Sequence, residues 1–371
     1  MTNREPLRVW HVDSGRRPGG GQIQISYLLK GLVERGVSCT LVCPPKSPIV
    51  NLGIPGSVEV VHLGLWGEWD FLSARRLKRL VWYDAPHIIH AHDARSHTLC
   101  LLARSKDQRV VVHRRVSFPI RQHILTPLKY GSSVDRFIAV AGCVRDELIL
   151  AHVPKGRISV IHSAVDTSRF HGEYDRESIR AEFGLRKDEI IIGTVGRLTK
   201  EKRHAWMLET LRPVLREHPL SRVMVVGSGP EDSRLKRLAA RLGIRERILF
   251  TGHREDIHRL LPILDVFLLC SESEGYPVSL AEAMAAGCAV VSTNVGAVRE
   301  LVDSNEDGVL ISPDDTAALR DAVSGLLADA DRRSTLGRAA HESARSSLGI
   351  DSMVDKVLEV YNNLYTGSHE G

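Results

Sequence analysis

The chain has 371 residues, 43% of them hydrophobic and 26% charged, enough apolar material for about two cores at roughly 150 residues per domain. That balance excludes a disordered chain, a disulfide-stapled miniprotein and a collagen-like fibre. The net charge of +5 divides into +9 over residues 1–185 and −4 beyond, so the first half fits an anionic partner or simply carries solvated helix faces.

No apolar run approaches the ~20 residues that span a bilayer. No signal-peptide core precedes the first strand, so a cytoplasmic chain is expected. The six cysteines form no CxxC pair and are expected as buried reduced thiols. Short β-branched runs alternate with helix-period segments, the pattern of α/β layers with parallel sheets. Strands are predicted at 7–12, 39–43, 88–92, 109–113, 137–140 and 158–162. Between the first two, Ile25, Leu28, Leu29, Leu32 and Val33 recur at core-facing helical spacing, and Gly36 ends that helix.

The polar stretch 171–188, with a short helical piece near 177–183, reads as a linker between domains at 1–170 and 189–350. A second series of strands follows at 190–195, 222–226, 248–251, 266–269, 289–292 and 309–311. Helices intervene at 204–217, 231–242, 279–286 and 316–328. A helical tail closes the chain, and its last part, 351–371, is expected to pack back towards the first domain. Two doubly wound domains facing across a cleft are expected, with ligands at the carboxyl ends of the strands.

Four glycine-containing strand-to-helix junctions carry the chemistry. Arg16-Arg17-Pro18-Gly19-Gly20-Gly21-Gln22 lets a phosphate approach backbone at a helix start, although no Gly-Lys-Ser/Thr follows and a plain turn is the alternative. In Gly193-Thr194-Val195-Gly196-Arg197-Leu198-Thr199-Lys200-Glu201-Lys202, Arg197 and Lys202 suit a diphosphate, one as a planar fork and one as a point charge. Gly227-Ser228-Gly229-Pro230-Glu231 is a third such turn. The fourth runs from Ser271 to Gly287. There Glu274 is expected at the mouth beside a polyhydroxyl ligand, and Glu282 deeper, accepting from vicinal hydroxyls such as those of a ribose. The helix start at Val278 and Ser279 offers amides to an anion.

The segment Glu274-Gly-Tyr-Pro-Val-Ser-Leu-Ala-Glu282-Ala-Met-Ala-Ala-Gly, followed by Ala289-Val-Val-Ser-Thr-Asn-Val-Gly296-Ala-Val-Arg-Glu300, resembles the signature of retaining glycosyltransferases of family 4. The glycine loop, Gly196-Arg197…Lys202, Gly227-Ser-Gly-Pro-Glu231, Thr251-Gly252-His253 and Val165-Asp166…Phe170 occur in that family's order too. The resemblance covers essentially the whole chain.

It implies the GT-B architecture, two Rossmann-like domains, and transfer with retention and without a metal or other cofactor. The donor is then a nucleoside diphosphate sugar, with UDP favoured as the family's common choice. By resemblance Arg197 and Lys202 bind the diphosphate, Glu282 the ribose and Glu274 the donor sugar. Tyr276, Pro277, Val278 and Ser279 surround sugar and phosphate, with Gly20, Gly21 and Gly229 as further donor contacts. Front-face attack is expected, with Glu274 as the competing candidate nucleophile. Pro277 departs from the family's usual glycine and has no N–H to donate.

The family places a histidine at the end of a strand in the first domain, a position that His113 matches, so His113, Glu274, Arg197 and Lys202 form the candidate catalytic set. His92, Arg114 and Arg115 are the candidate acceptor contacts. The His90-Ala-His92 spacing also suggests a metal, but no third ligand is evident in the sequence. The acceptor expected is a lipid-linked, lipopolysaccharide-type or other cell-envelope glycan. Basic runs at Arg75-Arg76-Leu-Lys78-Arg79 and Arg114-Arg115…Arg121, with aromatics in Trp66-Gly-Glu-Trp69-Asp-Phe71, suit an anionic membrane surface. Nucleic-acid motifs are lacking. A nucleotide-sugar epimerase on the same fold and a non-catalytic nucleotide-sugar- or anion-binding protein are the alternatives.

Overall fold

The computed structural model describes residues 5–17, 19–65, 67, 70–117, 119–120, 126–170, 172 and 174–366. In chain order its regular elements are β1 (Arg8–Val12), α1 (Gly20–Glu34), β2 (Ser38–Cys43), β3 (Glu59–His62), α2 (Phe71–Asp84), β4 (Ile88–Ala91), α3 (Ala94–Ala103), β5 (Arg109–Arg114), α4 (Thr126–Tyr130), β6 (Arg136–Ala139), α5 (Gly142–Leu150) and β7 (Ile158–Val160). They continue with α6 (Arg176–Glu182), β8 (Ile190–Val195), α7 (His204–Glu217), β9 (Ser221–Val226), α8 (Asp232–Arg241), β10 (Ile248–Gly252), α9 (Ile257–Leu260), β11 (Val266–Leu269), α10 (Val278–Ala285), β12 (Ala289–Thr293), β13 (Val309–Ile311), α11 (Thr316–Ala328), α12 (Ala330–Ser347) and α13 (Ile350–Thr366). The chain divides into two compact units, Met1–Ala164 with Ile350–Gly371, and Val165–Gly349.

The first unit is built on a seven-stranded sheet in the order β3-β2-β1-β4-β5-β6-β7, with every pairing parallel. Strand order reverses direction between β1 and β4, the switch point at which doubly wound sheets open a crevice at their carboxyl edge. Val9, Leu41, Ile88, Val111 and Ile138 from the strands pack with Ile25, Leu28, Leu29 and Leu32 of α1. The apolar stripe of α13, Val354, Val357 and Tyr361, joins the same core. At its rim Arg35 bonds Asp355 at 2.7 Å and Asp351 at 3.0 Å.

The second unit carries a six-stranded parallel sheet in the order β10-β9-β8-β11-β12-β13, switching between β8 and β11. Ile192, Val223, Val225, Val266, Leu268 and Val291 meet Leu208, Leu211 and Leu215 of α7 and Leu319, Val323 and Leu326 of α11. All six cysteines are free thiols, five of them buried.

Two boundaries differ from the sequence reading. The first unit ends at Ala164 rather than near residue 170, and residues 171–188 belong to the second unit instead of bridging two domains. The reason is Arg180 on α6, only 7% exposed. Its guanidinium donates to Asp265 at 2.9 Å and to the carbonyls of Lys187 and Glu189 at 3.2 and 3.0 Å, while Asp265 also accepts from the Ile191 N–H at 2.8 Å. A buried charge bonded through both terminal nitrogens ties this polar stretch to the amino ends of β8 and β11. The helical tail is likewise two helices, α12 in the second unit and α13 in the first.

Candidate functional site

In the second unit the chain leaves β8, β9 and β11 through three loops at one edge of the sheet. The β8 loop, Gly196–Lys202, and the β9 loop hold each other through backbone: Leu198 N–H donates to the Ser228 carbonyl and Glu231 N–H to the Leu198 carbonyl, both at 3.0 Å. A Cβ on Gly229 would fall on the Leu198 carbonyl. The absence of a side chain at Gly229 therefore serves this loop-to-loop packing, whatever a ligand also gains from it. Gly296, after β12, plays the same part for the β11 loop. It holds φ +53°, and a Cβ there would fall on the carbonyl oxygen of Glu274.

The Glu274 carboxylate is 7% exposed. Lys202 Nζ approaches one of its oxygens at 2.5 Å, and Ser271 Oγ donates to the same oxygen at 2.6 Å. Two of the candidate donor residues, 72 positions apart, are thus an ion pair at the switch point. Arg197 stands exposed on the same loop as Lys202, with no ion-pair partner among the described residues. Glu282 lies on α10 and is only half-buried, so the expected order of depth is reversed, with Glu274 the more enclosed carboxylate. Burial raises the Glu282 carboxyl to about 7, offset in part by the charge of Arg169. Arg169 sits in the turn Thr167–Phe170 and also bonds His258 Nδ1 at 2.5 Å.

The start of α10 offers fewer amides than the sequence reading expects. Val278 N–H is taken by the Tyr276 carbonyl at 3.0 Å, and Pro277 has none. Ser279, half-buried, remains in that turn, and Tyr276 is buried beside it.

In the first unit, register gathers four histidines on one face of the sheet. His11 on β1 pairs with His90 on β4, and His92 and His113 follow at the carboxyl ends of β4 and β5. Alternation along each strand puts residues two apart on the same side. Ring centroids confirm the cluster, 4.1 Å for His90–His92, 5.5 Å for His11–His90 and 5.7 Å for His90–His113. All four are buried, and burial keeps them neutral, His11 down to about 3 and the others well below the usual histidine value. His11 Nδ1 meets His92 Nε2 at 3.0 Å, His90 Nδ1 meets the Tyr361 hydroxyl of α13 at 2.5 Å, and Arg115 Nη2 meets His113 Nδ1 at 3.2 Å.

The same alternation separates the two arginines. Arg115 joins the cluster, whereas Arg114 turns to the Tyr130 hydroxyl at 3.4 Å, so the structure brings one of the two expected acceptor arginines to His113. Arg115 Nε and Nη1 are sealed from solvent and find no hydrogen-bond partner among the described residues. Burial lowers its guanidinium to about 10, with Asp13 the main opposing charge. Asp13 accepts from Gln22 Nε2 at 2.9 Å. The start of α1 lies beside it: a Cβ on Gly21 would come 3.7 Å from Arg115 Cδ, while one on Gly20 would meet nothing.

Comparison with known proteins matches both units. The profile described as Glycosyltransferase Family 4 fits residues 18–169, and that described as Glycosyl transferases group 1 fits residues 175–343. The chain belongs to the group 1 glycosyltransferases of family 4. N-acetyl-alpha-D-glucosaminyl L-malate synthase of Bacillus anthracis is 24% identical over 95% of this chain and 96% of its own length. The lipopolysaccharide core biosynthesis mannosyltransferase LpsB of Rhizobium meliloti is 30% identical over 56% of this chain and 61% of its own. Among solved structures, Anabaena HepE in complex with UDP superposes with a TM-score of 0.85 at 18% identity, covering 96% of this chain and 100% of that one. These likenesses establish the α/β, two-domain GT-B fold and a glycosyltransferase.

Three residues of this glycosyltransferase went unnoticed in the sequence: His11, Asp13 and Arg169. His11 supplies the third imidazole beside His90 and His92, and one ring nitrogen from each lies within 4.8 Å of the others. In number and chemistry the three resemble a metal centre. The charge of Arg115 bears on His90, His92 and His113 alike, however, and the same field opposes a divalent cation. Trp66, Trp69, Pro18 and Arg121 lie outside the described residues.

Proposed function

We propose that this glycosyltransferase moves a sugar from a UDP-sugar to an acceptor hydroxyl with retention of anomeric configuration and without a metal. What supports the donor class is the charge inventory at the switch point of the second unit, together with HepE structures solved with UDP and UDP-glucose. The bond from the anomeric carbon to the diphosphate breaks with its electron pair on the leaving oxygen. Arg197 and Lys202 balance that developing charge, as a divalent ion would elsewhere. Glu282 accepts from the ribose hydroxyls and Glu274 from the donor sugar. The acceptor oxygen then attacks from the face the diphosphate leaves, passing its proton to the departing phosphate. Glu274, held by Lys202 and Ser271, is poorly disposed to become a covalent nucleophile. His113, neutral and buried, is suited to hydrogen bonding near the reacting carbon.

For the acceptor we keep a lipid-linked or cell-envelope glycan, handled on the cytoplasmic side of the membrane. Arg115 favours a second class, small hydroxylated anions, because two of its sealed nitrogens find no hydrogen-bond partner among the described residues. Relatives named for L-malate and D-inositol 3-phosphate fit that class. Transfer to carboxylated or phosphorylated polyols, lost in Arg115→Met while donor binding persists, would decide for it.

The donor reading is tested by thermal shift against UDP, GDP, ADP and CDP. UDP at 100 times its Kd is expected to stabilise the wild type by about 2.7 kcal/mol, and Glu282→Ala to abolish the shift. If no nucleotide moves the melting temperature, the proposal fails. Retention is read from the anomeric coupling of the product by NMR, and metal independence from turnover in excess chelator.

Donor affinity should also depend on pH. The raised Glu282 pKa keeps the carboxyl protonated below about 7, and only the ionised form accepts two hydroxyl hydrogen bonds. UDP binding is therefore expected to weaken roughly tenfold from about pH 8 to about pH 6. Glu282→Gln corrects for titration of the ligand's own phosphate. Parallel wild-type and Glu282→Gln profiles in a calorimetric titration would refute this account.

A further inference from the structure

Helix α2 has two unlike faces. Ser73, Ala74, Leu77 and Val81 are buried, at the spacing of a single stripe. Opposite them, at one end of a helix about 21 Å long, Phe71 and Leu72 are 66% and 76% exposed. At the other end Trp82 and Tyr83 are 77% and 87% exposed. Of ten large apolar side chains exposed among the described residues, five lie on this helix, the fifth being Leu80, so the concentration is local and not a general property of the surface.

Between the two apolar ends stand Arg75, Arg76, Lys78 and Arg79, all exposed and without an ion-pair partner among the described residues. An ordinary solvent-facing helix would intersperse glutamates three or four positions from such cations. Here residues 71–83 contain no acid. The two flanking carboxylates have other partners: Asp70 caps the helix through Ser73 N at 3.0 Å, and Asp84 accepts from the Trp10 indole at 2.6 Å. What the helix presents outward is therefore uncompensated positive charge bracketed by aromatic and aliphatic side chains.

We infer that α2 is the surface by which this chain docks on an anionic phospholipid membrane. Amphipathic aromatic rings settle at the headgroup level, and arginines between them meet lipid phosphates. Each cation near such a surface strengthens association by roughly fivefold. None of the described helices is long and apolar enough to cross a membrane, so the attachment lies along the surface. The inference stands on the composition of this helix face and is independent of the donor chemistry proposed above.

The test is co-sedimentation of the full chain with vesicles of phosphatidylglycerol or of phosphatidylcholine alone. Wild type is expected to bind the anionic vesicles at least ~tenfold more tightly, and to release from them at high salt. Arg75→Glu/Arg76→Glu/Arg79→Glu should lose that preference. Trp82→Ser/Tyr83→Ser should weaken binding even at low salt, and Trp82→Phe should remove the fluorescence blue shift that vesicles induce. These side chains are exposed, so each variant should keep the wild-type melting temperature and UDP-induced shift, which separates failure here from failure of the donor reading. Absence of vesicle binding by the wild type, binding unaffected by these variants, or a dimer that α2 variants dissociate without any lipid effect would each overturn the inference.

Discussion

Lys202→Ala is expected to lower kcat by about 10²–10³ and to destabilise the ligand-free protein by about 2 kcal/mol. The two effects have separate origins. In turnover the variant lacks a point charge where the diphosphate gathers negative charge. Without ligand it leaves Glu274, 7% exposed, with Ser271 as its remaining partner. A buried carboxylate stripped of its cation carries a desolvation cost that the intact pair offsets. That cost is kept moderate because the Lys202 side chain is itself 24% exposed, so the pair is partly solvated. Glu274→Gln should therefore destabilise less than Lys202→Ala, since the freed lysine can reach water and Ser271 can still donate to the amide. The double variant should recover stability relative to Lys202→Ala but no activity. Urea unfolding and steady-state kinetics read the two effects independently. A kcat within threefold of wild type in Lys202→Ala would remove Lys202 from the proposed machinery.

Much of the second unit is legible because its strands are continuous apolar runs closed by glycine turns. β8, β11 and β13 and helices α7 and α11 fall at their expected bounds. β3, by contrast, escaped notice: Glu-Val-Val-His is short, lies at the sheet edge and has no buried residue, so no hydrophobic pattern marks it. The polar stretch around Arg180 reads as a linker because composition cannot show a bond to Asp265, 85 positions away. His11 was hidden for the same reason, since only the β1–β4 register brings it to His90. The separation of Arg114 from Arg115 was legible in principle. Strand alternation puts neighbours on opposite faces, and the expected strand simply ended one residue before the observed one. The order of depth of Glu274 and Glu282 was not legible, because Ser271 is the one partner Glu274 takes from its own segment, and Lys202 and the Gly296 turn, both distant in sequence, complete its enclosure.

That turn makes the second large prediction. Gly296→Ala is expected to destabilise the protein by about 3 kcal/mol or more and to lower kcat/KM more than melting temperature alone would account for. The residue holds φ +53°, where an L side chain costs roughly 1–2 kcal/mol. In addition the new methyl would fall on the Glu274 carbonyl, a backbone atom with no rotamer by which to yield. Relief requires the loop to move, and the loop carries both the Glu274 carboxylate and, through it, the position of Lys202. The Ala297 N–H, which reaches the Glu274 carbonyl at 3.4 Å, would be displaced as well. Gly56→Ala is the control, because Gly56 lies in an exposed turn of the first unit that the proposed donor site does not use and a Cβ there meets nothing. A disturbance confined to folding would leave UDP affinity at low temperature unchanged, whereas a displaced Glu274 loop weakens it under conditions where the variant is fully folded. Calorimetric UDP titration at low temperature therefore discriminates, and wild-type affinity in folded Gly296→Ala would show that the glycine serves stability alone.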